Sequence, residues 1–163
     1  MTEHPLRAGI GFDTHRLAPG RRLVLGGVEI PGAALGLAGH SDADVLTHAV
    51  IDALLGAAGL GDIGEHFPDT DERWRDADSL EMLGTVVAQV VAAGCTIVHV
   101  DATVVLEAPR LAPHRDAIRG SLSQALGLAL PHVNVKATRG EGMGFVGRGE
   151  GIAALAVATV ERT

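Results

Sequence analysis

Apolar positions along the chain recur at two different periods, and those periods divide it into strands and helices. Ala8–His15 reads as a first strand. Leu23–Leu25 and Val28–Ile30 flank Gly26-Gly27, a two-residue hairpin signal. Ser41 to Ala58 reads as a helix. Ser41 with Asp44 three residues on resembles a capping box with Asp in place of Glu, and Gly59 supplies the stop. A loop rich in Gly, Pro and Asp follows from Gly59 to Asp71. Asp78 or Ser79 caps a second helix that runs to about Ala93 and stops at Gly94. Thr96–Leu106 alternates, with Val98, Val100, Ala102, Val104 and Leu106 on one face and His99, Asp101 and Thr103 on the other. A third helix starts near Pro113 and ends near Gly127. Val133–Thr138 is a strand, Arg139–Gly151 a Gly-rich loop and Ile152–Val160 a closing strand. This order predicts an α+β fold, a mixed β-sheet covered by helices on one face. With no repeat, low-complexity tract or linker, residues 1–163 read as a single domain.

Composition changes the picture in two ways. Hydrophobic residues make up 47% of the 163, yet there are 22 Gly, three Phe, one Trp and no Tyr, so Ala and Val are expected to do most of the packing. Small side chains bury little area each, and burial between subunits would supplement them. The formal net charge of −7 argues against nonspecific nucleic-acid or membrane binding, which draws on basic surface. It also means that an anionic substrate would need local cations. Cys95 is the sole cysteine, which excludes an internal disulfide and fits a reducing compartment. The opening MTEHPLRAGIGFDTH has no signal-peptide pattern, and apolar runs such as Gly151–Val160 are too short to span a bilayer. The expectation is a soluble, cytoplasmic protein.

Candidate chemistry begins with Asp13 and His15, two apart on a strand and so on one face. The pair could hold a metal, but taken alone a strand end whose polar residues meet solvent is the plainer reading. Asp44, His48 and Asp52 recur every four residues on the first helix. A solvated stripe is the ordinary explanation, but the rest of that helix is apolar and His48 could complete a three-ligand set with Asp13 and His15. Three ligands with a fourth position open is the catalytic form of a zinc site. His40, His66, His99, His114 and His132 read as ordinary surface or hydrogen-bonded residues. Asp62, Asp69 and Asp71 lie among turn residues, where Asp commonly caps turns; carboxylates there could also bind sugar hydroxyls or Mg2+. In KATRGEGMGFVGRGEG, Lys136–Gly151, closely spaced glycines let backbone N–H groups reach phosphate oxygens beside Lys136, Arg139 and Arg148. It is not a Walker A loop, and a hairpin loop of alternating charge is the plainer reading.

The ordered stretches GFDTHRL, LGGVEIP, GHSDADVLTHAVIDALLGAAGLGDIGEHFPDTD, ADSLEML, VDATVVLEAPRLAPH, VNVKAT and GFVGRGEGIAALAV together resemble the 2-C-methyl-D-erythritol 2,4-cyclodiphosphate synthase family. The resemblance implies conversion of 4-diphosphocytidyl-2-C-methyl-D-erythritol 2-phosphate to the cyclic 2,4-diphosphate with release of CMP, in the non-mevalonate isoprenoid pathway. It implies Zn2+ on Asp13, His15 and His48, and a second divalent ion, Mg2+ or Mn2+, on Glu141. His40 and Ser41 would contact substrate phosphates. Asp62, Ile63, Gly64, Phe67, Pro68, Asp69, Thr70 and Asp71 would hold the methylerythritol, with Asp13 and His15 beside it. Leu106, Ala108, Pro109, Arg110, Leu111, Ala112, Thr138, Arg139 and Glu141 would take the cytidine diphosphate, with His40 and Arg139 as the catalytic positions. The family is a homotrimer with active sites between subunits, and Phe145 and Arg148 match positions facing a cavity on the threefold axis sized for an isoprenoid diphosphate. Two departures stand out. KATRGE replaces a KATTTE-like segment, so Arg139 stands where the family has a phosphate-contacting threonine. SDADV replaces SDGDV, with Ala43 expected to be harmless inside a helix. A metal-dependent phosphohydrolase and a catalytically silent nucleotide or isoprenoid binder are the alternatives.

Overall fold

The structure is a computed structural model, and it describes residues 5–163. Strand β1, Leu6–Ala18, pairs antiparallel with β4, Gly36–Ala38, and with β7, Gly151–Arg162. Strand β5, Cys95–Val105, pairs antiparallel with β7 and parallel with β6, Val133–Thr138. The result is a mixed five-stranded sheet of order β4-β1-β7-β5-β6. A small hairpin, β2 Val24–Leu25 and β3 Val28–Glu29, turns at Gly26 and Gly27, both at positive φ as a tight two-residue turn requires. Helices α1 (Val45–Ala58), α3 (Ser79–Ala92) and α4 (Arg115–Leu126) cover one face of the sheet, and α2 (Ile63–His66) and α5 (Gly144–Gly147) are single turns. This is the expected α+β architecture.

Helix α1 is the centre of the molecule. Eleven of its 14 residues are buried, as expected of a helix apolar nearly all round. It lies close against β1 because β1 has glycine where the two meet. A Cβ on Gly9 or Gly11 would collide with the carbonyl oxygens of Ala53 and Ala49. Small residues therefore do pack the helix–sheet contact. Ala and Val supply about half of the buried hydrophobic residues, as expected, while the largest fully buried side chains are Leu and Ile, including Leu25, Leu46, Leu54, Leu55, Leu83, Ile118 and Leu122. They fill the wider space between helices, where backbones stand further apart.

Several boundaries move for identifiable reasons. Helix α1 begins at Val45, not Ser41, because Asp44 is its N-cap and accepts from Thr47 N–H. The Asp44 carboxylate is fully buried and takes four hydrogen bonds: from the N–H groups of Gly26, Gly27 and Thr47 and from the Thr47 hydroxyl. Burial pushes its pKa up while those donors pull it down, leaving it raised. One side chain thus starts the helix and pins the hairpin to it. Ala43, expected inside the helix, precedes it at φ 57, in the left-handed region. On β5 the register shifts between Ile97 and His99, so Ile97 and not Val98 is buried before the bulge; Val100, Ala102, Val104 and Leu106 follow in phase. The Gly59–Asp71 and Arg139–Gly151 loops contain α2 and α5, and Ala112–His114 is a 3-10 turn ahead of α4. Among the described residues, none of the three long helices covers the opposite face of the sheet. There Ile10 faces Val157 and Phe12 faces Leu155, with Ile10 70% and Phe12 56% exposed.

Candidate active site

Two cavities contain most of the expected site residues. The first, about 600 Å³, lies where the end of β1, the start of α1 and the α2 loop converge. Asp13 and His15 reach it from β1 and His48 from the first turn of α1. Asp13 Oδ2 is 3.0 Å from His15 Nε2 and 3.1 Å from His48 Nδ1, and those two nitrogens are 3.2 Å apart. Burial would raise the Asp13 pKa, but the two imidazoles outweigh it and hold the carboxyl at about 2. Desolvation would lower the His15 pKa, and the Asp13 carboxylate beside it wins and raises it.

His15 Nδ1 donates to the Ala38 carbonyl at 3.0 Å, so Nε2 presents a lone pair to the cluster. A carboxylate and two neutral imidazole nitrogens turning their lone pairs to one point repel one another unless a proton or a metal cation sits among them. Ligands of a tetrahedral zinc ion at about 2.0–2.2 Å stand about 3.3 Å apart, close to the spacings found. Among the described residues this is the cluster able to hold a metal ion, and its donor set fits zinc.

Most of the other expected residues of this half share the cavity: His40, Ser41, Ile63, Gly64, Phe67, Pro68, Asp69 and Thr70. Asp62 and Asp71 do not line it. Asp62 caps α2 through the Glu65 N–H, and Asp71 caps the turn Glu72–Trp74 and pairs with Arg73 at 2.6 Å. For these two the ordinary turn-capping role holds. Asp52, on the helix stripe, accepts from Ile63 N–H at 2.9 Å and so anchors the α2 loop to α1. His40 Nε2 donates to the Asp71 carbonyl at 3.2 Å. Trp74 and Met82 also line the cavity and were not expected; neither belongs to a polar pattern, so spacing gives no signal for them.

The second cavity, about 480 Å³, lies beyond the ends of the parallel pair β5 and β6. Leu106, Ala108, Pro109, Arg110, Leu111, Ala112, Thr138 and Arg139 line it as expected, joined by Glu107, Arg115 and Ala137. Glu107 is the residue that organises this rim. It pairs with Arg139 Nη2 at 2.9 Å and accepts the Gly140 N–H at 2.9 Å. The Arg139 side chain is 63% exposed. Lys136 is elsewhere, paired with Asp101 at 2.6 Å on the sheet face opposite the long helices. Glu141 is exposed at φ 52 and lines neither cavity. Phe145 lies near Thr14 and Glu150, and Arg148 pairs with Glu150 at 2.9 Å.

Comparisons with known proteins bear on the family and the fold. A family model described as the YgbB family matches residues 6–161. A 2-C-methyl-D-erythritol 2,4-cyclodiphosphate synthase of Salinibacter ruber is 58% identical over 96% of this chain and 99% of its own length. A bifunctional enzyme IspD/IspF of an Anaeromyxobacter species is 58% identical over 99% of this chain, which spans 42% of that relative's length. The solved structure of a 2C-methyl-D-erythritol-2,4-cyclodiphosphate synthase, in a form bound to CDP, superposes with a TM-score of 0.87 at 39% identity, covering 95% of this chain and 100% of the other.

Proposed function

The chain belongs to the YgbB family, that of the 2-C-methyl-D-erythritol 2,4-cyclodiphosphate synthases, and from that premise we propose that residues 1–163 are one catalytic domain that converts 4-diphosphocytidyl-2-C-methyl-D-erythritol 2-phosphate to the cyclic 2,4-diphosphate, releasing CMP. The observation that carries the proposal is the Asp13–His15–His48 donor cluster opening into a cavity whose other walls match the methylerythritol-binding positions. On this reading the cavity at Glu107 and Arg139 takes the cytidine diphosphate; a related structure has been solved in a form bound to CDP.

An oxygen of the 2-phosphate attacks the β-phosphorus, and the bond from that phosphorus to the bridging oxygen breaks. The electron pair leaves with CMP. The 2-phosphate is already largely dianionic near neutral pH and needs no strong base. The chain's task is placement: holding both ends of one substrate in line is worth about 7–11 kcal/mol in oriented intramolecular reactions. Asp13, His15 and His48 would hold zinc and Glu141 would hold Mg2+ or Mn2+, and these ions would supply Lewis-acid and charge stabilisation when bound. Ser41 and His40 orient the phosphates from the first cavity, and Arg139 meets the diphosphate from the second.

The two cavities share no lining residue, and a homotrimer that sets one chain's metal cavity against a neighbour's nucleotide cavity makes one site of them. The sheet face opposite the long helices, with Ile10, Phe12, Leu155 and Val157, supports such assembly, since exposed apolar area of this kind is normally covered. Phe145 and Arg148 would then face an isoprenoid diphosphate on the axis. No helix among the described residues is long and apolar enough to cross a membrane, and the lone, buried Cys95 fits a cytoplasmic setting.

The test is direct. Incubation with the cytidyl substrate and Mg2+ or Mn2+ is expected to give CMP and the cyclic diphosphate in equal amounts. CMP with a linear product would indicate a phosphohydrolase, and no turnover with tight nucleotide binding a silent relative. Light scattering of a monomer at assay concentration would remove the shared site.

A further inference from the structure

The two histidines of the donor cluster present opposite ring nitrogens to it. His15 is held by the Ala38 carbonyl at Nδ1, which leaves Nε2 free. His48 faces Asp13 with Nδ1, so its proton must reside on Nε2 if Nδ1 is to offer a lone pair to an ion. The partners of Nε2 are both hydroxyls, Ser79 Oγ at 2.9 Å and Ser41 Oγ at 3.2 Å. A hydroxyl either donates or accepts, so these contacts alone do not fix the tautomer.

The next bond outward does. Ser79 Oγ also contacts Oδ1 of Asp42. A carboxylate only accepts, so the single Ser79 hydroxyl proton goes to Asp42, and Ser79 must accept from His48 Nε2–H. Asp42 is held in turn by two backbone donors, Asp44 N–H at 3.1 Å and Ser79 N–H at 3.0 Å. Ser79 is the first residue of α3, so the Asp42 carboxylate sits at the N-terminal end of that helix. Ser79 has no exposed surface, so solvent does not compete for its hydroxyl.

We infer that Ser79, oriented by Asp42, is a positioning residue for the metal ligand: it fixes His48 as the Nε2–H tautomer and thereby makes Nδ1 the coordinating atom. This rests on the metal reading of the Asp13–His15–His48 cluster. It has a second consequence. Ser41 Oγ accepts the Ala43 N–H at 3.2 Å and is not needed to take a proton from His48, so its own hydroxyl proton remains for donation into the cavity it lines.

The test uses zinc and the intact protein. Proton–nitrogen correlation spectra of the imidazole rings in the zinc-loaded protein are expected to show His48 protonated at Nε2 and ligated at Nδ1. Chelator competition is expected to show zinc bound about 10–100-fold more weakly by Ser79→Ala, the usual loss when an outer partner of a metal-bound imidazole is removed. Asp42→Asn should weaken zinc too, because its amide can donate to Ser79, turn the hydroxyl toward Nε2 and bring up the Nδ1–H tautomer in metal-free protein. A wild type that binds no zinc overturns the metal reading itself. A wild type that binds zinc through His48 Nε2, or a folded Ser79→Ala with wild-type zinc affinity, overturns the inference and leaves the metal reading standing. If Ser79→Ala fails to fold, the wild-type tautomer decides alone.

Discussion

The cavity around Asp13, His15 and His48 and the cavity around Glu107 and Arg139 are made of different materials. In the first, the donors stand on β1 and in the first turn of α1, where ladder and helix hydrogen bonds fix the backbone. His48 is buried, and its far nitrogen is held by two serines. In the second, the walls are chain segments just past the ends of β5 and β6, and Arg139 is more than half exposed. Donors on regular elements are held to small tolerances, while loop side chains settle on whatever charge is nearest. The first cavity is therefore preorganised for a small ion of strict geometry. The second holds its arginine on Glu107, from which, on the proposed function, an extended anion would draw it. Loss of one group should be all-or-none in the first and graded in the second.

His48→Ala breaks the preorganised end and is expected to have the largest effect. The variant should purify without stoichiometric zinc and lose more than about 100-fold in CMP release, because even outer partners of such ligands are worth about 10–100-fold. Metal analysis showing normal zinc would end the distinction between the cavities. Glu141→Gln should be the next largest. It is expected to keep its zinc and lose most CMP release at limiting Mg2+ or Mn2+, with partial recovery at high metal, since hard divalent ions favour carboxylate oxygen. An unchanged rate at limiting metal would remove Glu141 from the site.

Arg139→Ala sharpens the graded end. The exposed pair with Glu107 is worth about 0.2–1 kcal/mol, so folding stability should barely move. A charge-assisted bond to a phosphate gains more than the pair it replaces, by about 1–2 kcal/mol, or about 5- to 30-fold in KM. That difference should shrink as salt rises, as for any exposed charge contact. Equal KM values for wild type and variant at every ionic strength would leave Arg139 a bystander that only neutralises Glu107.

What the sequence disclosed follows the same division. The Asp13–His15 spacing and the His48 register point to one metal because strand and helix periods translate directly into shared faces. The closing strands and the Gly59 and Gly127 stops were readable for the same reason. The cytidine-side residues carried no periodicity and, apart from Arg139 in the Gly-rich loop, came only through family resemblance. Ser79 and Asp42 were out of reach altogether, because the link from His48 to Ser79 spans 31 residues and the link from Ser79 back to Asp42 spans 37, joining two helix starts. The bulge at Ile97–His99 defeated a clean alternation, since one extra residue inverts every side chain before it. The start of α1 was misplaced because a fully buried aspartate is an unusual N-cap, chosen here for the hairpin it also holds.

The smallest expected effect lies at Ala43, and it tests how much strain the preorganised end tolerates. Ala43 sits one residue before the α1 cap at φ 57 with no exposed surface, between Ser41 and Asp44. Left-handed backbone costs a residue with a Cβ about 1–2 kcal/mol, and glycine at this position would recover that. Two terms oppose the gain. Glycine loses about 0.4–1 kcal/mol through the greater freedom of the unfolded chain. The buried methyl group, packed toward Gly39, takes about 0.8 kcal/mol with it. These terms nearly cancel, so Ala43→Gly is expected to change stability by less than about 1 kcal/mol, a shift of only about 2–4 °C in Tm at this chain length. Ala43→Val should behave differently, since a β-branched side chain both resists φ 57 and has no room to enter. A thermal unfolding series of the three proteins separates the terms. A large rise for glycine would mean that strain dominates the metal end, and a large fall would mean that packing does. No change for valine would show that this loop yields as freely as the arginine rim does.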